Sequence, residues 1–321
     1  TGSSNTGLGT LALNENTTAS NNTAVGTCSM CANTTGCQSS AVGSSALAAN
    51  TEGCFNTAVG YNALLSNTTA DRNTAVGMSA LTATTTGCCN TALGQGIMAA
   101  NTTGDNNVAI GTLALSTAQT ADNNTAVGYL ALCANTTGCR SVAIGAESLK
   151  ANTTGGGNTA MGACALNANT TGDQNIAIGL NAMQDNTTAD NNTAVGFRAM
   201  DKNTTGTNNV GIGMDAMRCN TTGCQNTALG SNAMDANTTG DYNTAIGYNA
   251  MYEGTTTGDY NTMVGSSSGR KMTSGTQNTS SGVNSMELNT PGASNVAMGM
   301  SALASNTTAD NNTAVGMSAL T

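Results

Sequence analysis

With no histidine among 321 residues, the side chains of this sequence best able to do chemistry are 11 thiols and 17 carboxylates. The lack of imidazole excludes His-dependent general bases, Ser-His-Asp triads and His-ligated zinc. The cysteines recur at few places: Cys31 with Cys37, Cys133 with Cys139, and Cys219 with Cys224 bracket the same Asn-Thr-Thr-Gly stretch. Three recurrences predict a disulfide closing that turn, provided the two Cα atoms lie about 4.4–6.8 Å apart. Cys54, one repeat beyond Cys37, is a competing partner for it. Cys28-x-x-Cys31 has no second pair beside it, so structural disulfides outrank a metal or redox site, and an oxidising compartment follows.

Asp71, Asp105, Asp122, Asp173, Asp190, Asp241 and Asp310, with the shifted Asp259, also share one place. Stacked carboxylates about 5 Å apart can attract Ca²⁺, but solvated turn aspartates repelling by about 1 kcal/mol in water are the simpler reading. Asn-Thr-Thr at Asn67, Asn101, Asn135 and Asn169, among others, is a glycosylation acceptor, but any Asn/Thr-rich turn generates such triplets, so partial occupancy in a eukaryotic host is the less favoured reading. Gly211-x-Gly213 is followed by Asp215 and Ala216 rather than a third glycine and belongs to the repeat. No catalytic residue, cofactor or metal is expected. Net charge −9 without a basic run excludes a nucleic-acid partner, and no apolar stretch approaches the roughly 18 residues of a membrane span. The opening Thr1-Gly2-Ser3-Ser4 is not a signal sequence, which predicts a removed leader or an excised segment.

These residues are placed by a repeat of period 17 that starts at Asn5 and fills 1–321 as one array, with a one-residue insertion near Tyr260 and degenerate units over 261–294. The fifth position is glycine in all 19 units, as at Gly26, Gly60, Gly77, Gly128 and Gly196, which calls for positive φ or close backbone approach. The fourth is apolar in 18 units (Val59, Val76) and the ninth is Leu or Met in 18 (Leu64, Leu81, Met183, Met200, Met217), giving two apolar ladders. β-Branched residues at the fourth favour strand, and the Asn-Thr-Thr-Gly-Asp-Asn remainder is turn-forming. The pattern predicts an all-β, parallel β-solenoid whose 17-residue rung runs strand, bend, strand, turn. Strand alternation puts the small third and eighth positions inside and the fourth and ninth outside, against partner chains. Asn at the first and twelfth positions predicts amide ladders along the stack. In the degenerate units Ser266-Ser267-Ser268-Gly269-Arg270-Lys271 loses its ladder residue and Pro291 removes a backbone donor, which predicts a kink, joint or exposed face suited to a specialised contact.

Asn56-Thr57-Ala58-Val59-Gly60-Tyr61-Asn62-Ala63-Leu64 and Ser141-Val142-Ala143-Ile144-Gly145 resemble head repeats of trimeric autotransporter adhesins of the YadA type and related phage and virus tail-fibre repeats. The resemblance covers essentially all units and implies a left-handed β-roll, three chains side by side, and attachment or spacing at a surface. It carries over no binding residues. The expected function is therefore a structural fibre, adhesin segment or filament subunit that is extracellular or on a cell or virion surface. Its partners would be copies of itself, as a homotrimer or end-to-end filament, and a host-surface glycan or protein. Two other classes compete. An ice-binding solenoid would use stacked Thr, against which no strand carries Thr-x-Thr; a polysaccharide-cleaving solenoid enzyme would need an anomalous charged rung, hinted at only by Arg270-Lys271 with Glu287.

Overall fold

A computed structural model describes residues 2–321; Thr1, the first residue of the opening Thr1-Gly2-Ser3-Ser4, lies outside the described residues. The chain is a parallel β-solenoid with one three-residue strand per 17-residue rung, in two compact units. The first ends at Asn158 and holds β1 (Thr6–Leu8) through β9 (Val142–Ile144); the second, Thr159–Thr321, holds β10 (Thr159–Met161) through β19 (Thr313–Val315). Within each unit the strands pair in parallel at matching repeat positions, as β4 (Thr57–Val59) does with β5 (Thr74–Val76) through Thr57↔Thr74, Ala58↔Ala75 and Val59↔Val76.

The rung departs from the expected strand, bend, strand, turn. After β4, Gly60 takes φ 140°, and the stretch that follows is a run of turns in which Asn62 (φ 56°), Leu64 (φ 51°) and, near the end, Arg72 (φ 57°) are left-handed. Left-handed residues at every second position abolish the alternation of a strand, so neighbours need not point to opposite faces. Ala63 and Leu64 are both buried, as are Leu81, Met183, Met200 and Met217. The ninth-position ladder therefore lies inside the coil, a correction to the outward placement that alternation predicted. Of the two ladders only the fourth-position one faces out: Val59 and Val76 are exposed, while Ala58 and Ala75, the residues just before them, are buried. Gly60 is obligatory for a second reason, since a Cβ there would overlap the carbonyl oxygen of Gly77 in the next rung.

Backbone hydrogen bonds knit each rung to both neighbours. Gly60 N–H donates upstream to Val42 O at 2.8 Å, Leu64 N–H downstream to Ala80 O at 2.9 Å, and Arg72 N–H upstream to Cys54 O at 3.0 Å. The turn that ends the ladder region closes locally, Asn67 N–H donating to Leu64 O at 3.2 Å.

The degenerate rungs keep this frame. β15 (Thr244–Ile246), β16 (Thr262–Val264), β17 (Thr279–Ser281) and β18 (Val296–Met298) pair in register, and the inserted residue is absorbed in the preceding turn, where Thr256 bridges to Asn237. The core volume is redistributed within one rung. Gly269 replaces the ninth-position Leu or Met, while buried Met263 replaces the third-position Ala, and a Cβ on Gly269 would meet Met263 Sδ at 2.8 Å. The interior beside it is polar: Ser268, Ser280 and Ser285 are buried, Ser268 Oγ donating to Ser280 Oγ at 2.9 Å and Ser280 contacting Ser285.

Candidate functional site

Three side-chain columns run along each unit: the strand face, the amide ladders, and the turn column of thiols and carboxylates. The strand face consists of the outward second and fourth positions and the sixth, just past the glycine. In all 19 units these three positions carry no charged residue. Val59 is 38% exposed and Tyr61 56%, with Tyr129 in the first unit and Met214 and Tyr248 in the second similarly open. Large apolar side chains thus stand exposed to water along a repeated, charge-free strip of each unit. Threonines stand in register on the same face, as Thr57, Thr74 and Thr91 do.

The amide ladders are internal. Asn56 Nδ2 donates to Ala70 O at 2.7 Å, and Asn56 Oδ1 accepts from Asn73 N–H at 2.9 Å. Asn67 Nδ2 donates both to Asn50 Oδ1 at 2.7 Å and to Ala70 O at 3.1 Å. Where the twelfth residue is not Asn the ladder stops: Asn67 Oδ1 and Asn101 Oδ1 have no partner below Thr84 and Ala118, and Asn237 Oδ1 has none at Gly254. Burial corrects the glycosylation expectation, because Asn67, Asn101, Asn135 and Asn169 are all fully buried in the coil. A glycan needs the amide nitrogen that holds the turn closed.

The turn column explains why Asp and Cys interchange. Cys54 N–H donates to Asp71 Oδ1 at 2.7 Å, Asp105 N–H to Asp122 Oδ1 at 2.8 Å, and Asp173 N–H to Asp190 Oδ1 at 2.7 Å. Asp241 accepts from Cys224 N–H, Asp259 from Asp241 N–H and Asp310 from Ala293 N–H in the same manner. Sulfur serves the same donor elsewhere, Cys37 N–H pointing at Cys54 Sγ (3.0 Å) and Asp122 N–H at Cys139 Sγ (3.3 Å). Each side chain accepts from the rung before it, a structural task that needs no cation. Among the described residues no group of three or more Cys, Asp or Glu is arranged to hold a metal ion.

The three turn-closing disulfides are not formed. Cys31 is bonded instead to Cys28, three residues before it, with Cα atoms 4.9 Å apart; Cys37, Cys133, Cys139, Cys219 and Cys224 are free. The two ends of the turn use their sulfurs differently. Cys133 Sγ lies on Lys150 O of the next rung (3.6 Å), whereas Cys139 Sγ folds back onto Thr137 O (3.2 Å). Burial pushes the Cys133 thiol up. Burial, then the Cys37 thiol, pushes Cys54 up to about 11, and burial with Cys89 and Asp105 does the same to Cys88.

Charges missed by sequence reading gather on the seventh, tenth and eleventh positions of the second unit. Arg198 pairs with Asp215 at 2.9 Å and Arg218 with Asp235 at 3.0 Å, each joining successive rungs, while Lys202 reaches Asp185 at 2.9 Å and Asp201 at 3.5 Å. Asp201, Asp215 and Asp235 are buried, and burial raises the pKa of Asp201 and Asp235 against the pull of their cationic neighbours. The signal available in the sequence was opposite charge at a spacing of 17, as in Arg198/Asp215 and Arg218/Asp235. Arg270, singled out as a hint of an anomalous rung, is clamped between Glu253 (2.7 Å) and Glu287 (2.6 Å). No helix among the described residues is long and apolar enough to cross a membrane.

No protein-family model matches the sequence, and no curated protein matches it.

Proposed function

We propose that this structural β-solenoid self-associates through its strand face and serves as a rigid segment of an extracellular, cell-surface or virion-surface fibre. The observation that carries the reading is the charge-free strip of exposed Val, Ile, Leu, Met and Tyr that recurs along both units. An identical strip on a second copy has the same rung spacing, so one favourable contact is repeated along the whole of each unit, and side-by-side packing removes apolar surface from water at about 25 cal/mol per Å². The resemblance to trimeric adhesin and tail-fibre repeats supports three chains around one axis. Light scattering of the native protein should give a mass near three times the 31.6 kDa chain. The double variant Val59→Glu, Ile178→Glu, one charge on each unit's strip, should return it to one chain without changing the circular dichroism of the solenoid. A wild-type monomer at all concentrations would sink the proposal.

A second reading is favoured by the in-register Thr57, Thr74 and Thr91 beside Val59, Val76 and Leu93 on one outward face, which presents regularly spaced hydroxyls and methyls to water. That surface suits ice. Thermal hysteresis from a monomeric protein would put this reading in place of the fibre.

A further inference from the structure

We propose that Cys37 and Cys54 are the site of an oxidative cross-link that staples two successive rungs of the first unit. In the sequence they are the one pair of cysteines at the same repeat position of neighbouring rungs; every other turn-column cysteine, Cys88, Cys139 and Cys224, has a non-cysteine residue above and below it. The two sulfurs stand 2.7 Å apart, and Cys54 Sγ also receives the Cys37 N–H at 3.0 Å. Backbone bonds hold the strands of this column at their own spacing, Phe55 N–H donating to Cys37 O at 3.0 Å and Arg72 N–H to Cys54 O at 3.0 Å. Rungs stacked about 4.8 Å apart place paired Cα atoms inside the range that a disulfide spans, so the bond closes without moving the backbone. Both side chains are half-buried at the turn surface, within reach of a small oxidant.

The step needs an oxidant, and a small-molecule disulfide such as glutathione disulfide supplies it. The Cys37 thiolate attacks one sulfur of the reagent and expels one glutathione thiolate. The Cys54 sulfur then gives up its proton and attacks Cys37 Sγ, breaking the mixed disulfide and expelling the second glutathione. Two protein thiols are oxidised by two electrons, one glutathione disulfide is reduced to two thiols, and two protons leave the protein. In the reduced protein burial, and then the Cys37 sulfur, hold the proton on Cys54. The product ties the rung that ends at Phe55 to the one before it, across a sequence separation of 17.

The test is a disulfide map of the whole chain after exposure to glutathione disulfide, with alkylation in denaturant before any reductant is added. Cleavage after Glu15 and Glu52 and before Asp71 releases residues 16–52, carrying Cys28, Cys31 and Cys37, and residues 53–70, carrying Cys54 alone. The expected result is these two peptides joined, in chains that run as monomers on a denaturing non-reducing gel and are lighter than the reduced protein by two hydrogens per bond. Cys37→Ser should abolish the link and leave Cys54 open to alkylation, while the double variant Cys28→Ser, Cys31→Ser should keep it. Alkylation of both Cys37 and Cys54 in the oxidised wild type would overturn the proposal. So would glutathione remaining on either as the end product, or a link that survives Cys37→Ser or occurs only in dimers.

Discussion

The two compact units share a backbone and its inter-rung hydrogen bonds but differ in the side chains added along the stack. The unit ending at Asn158 holds eight of the 11 cysteines and a ladder dominated by leucine, as at Leu47, Leu64, Leu81, Leu115 and Leu132. The unit Thr159–Thr321 has three cysteines, a methionine ladder from Met183 to Met251, and the inter-rung ion pairs Arg198–Asp215, Arg218–Asp235 and Arg270–Glu287. Its amide ladder runs unbroken from Asn169 through Asn186, Asn203 and Asn220 to Asn237, while that of the first unit is interrupted at Thr84 and Ala118. The contrast separates what the coil requires from what it tolerates. Gly at the fifth position and buried small residues at the third are near-constant because every rung needs them, whereas the seventh, tenth and sixteenth positions accept thiol, carboxylate or guanidinium because any of these can reach the neighbouring rung.

The requirement for glycine gives the largest expected effect, and it should be equal in the two units. Gly77→Ala and Gly196→Ala each place a Cβ against the next rung's carbonyl at φ 138°, so each should cost at least about 3 kcal/mol in urea unfolding. A large inequality would break the idea of one shared backbone. Next is the volume exchange within the degenerate rung of the second unit. Met263→Ala should cost about 2–4 kcal/mol by leaving a cavity, and Gly269→Leu about 1–3 kcal/mol by overfilling. The double variant restores the arrangement found at Ala58 and Leu64 and should recover most of the loss, a coupling that a double-mutant cycle reads directly.

Smaller effects should separate the units. Reductant opens Cys28–Cys31 and should lower the stability of the surrounding rungs by about 2 kcal/mol, while high salt should weaken the second unit's ion pairs by about 1 kcal/mol or less, both resolved rung by rung in hydrogen exchange. Thr84→Asn should stabilise the first unit by about 1 kcal/mol, since the new amide supplies a donor to the orphaned Asn67 Oδ1. The smallest effect concerns pH. Burial raises the Asp201 carboxyl above its unfolded value, so its ionisation opposes folding at neutral pH, and that penalty fades as pH falls through the raised value toward the ordinary one near 4. Asp201→Asn should therefore be neutral to slightly stabilising at pH 7, by under about 1 kcal/mol, with the difference vanishing in acid.

Much of the local plan was legible in the sequence, because a repeat multiplies weak preferences. The 17-residue period, the parallel stacking, the glycine at the turn and the asparagine ladders all follow from residues that recur in the same place. The second strand was misread for a specific reason. Ala63-Leu64 has the apolar look of strand, and left-handed leucine and methionine are rare, so nothing in those two residues announces φ 51° at Leu64. The readable hint was Asn at the seventh and seventeenth positions, as at Asn62, Asn181, Asn106 and Asn123, where the structure is left-handed and asparagine is at ease.

Sequence by itself determined the rung and its count, since periodicity is a property of the chain alone. Tertiary structure decided which ladder faces inward, that the glycosylation triplets are buried, and that Cys31 meets Cys28 rather than Cys37. Each of those depends on the direction of a side chain from its backbone. In this coil that direction is set by φ values stabilised through hydrogen bonds to the rungs above and below, and not by the residues of a single turn.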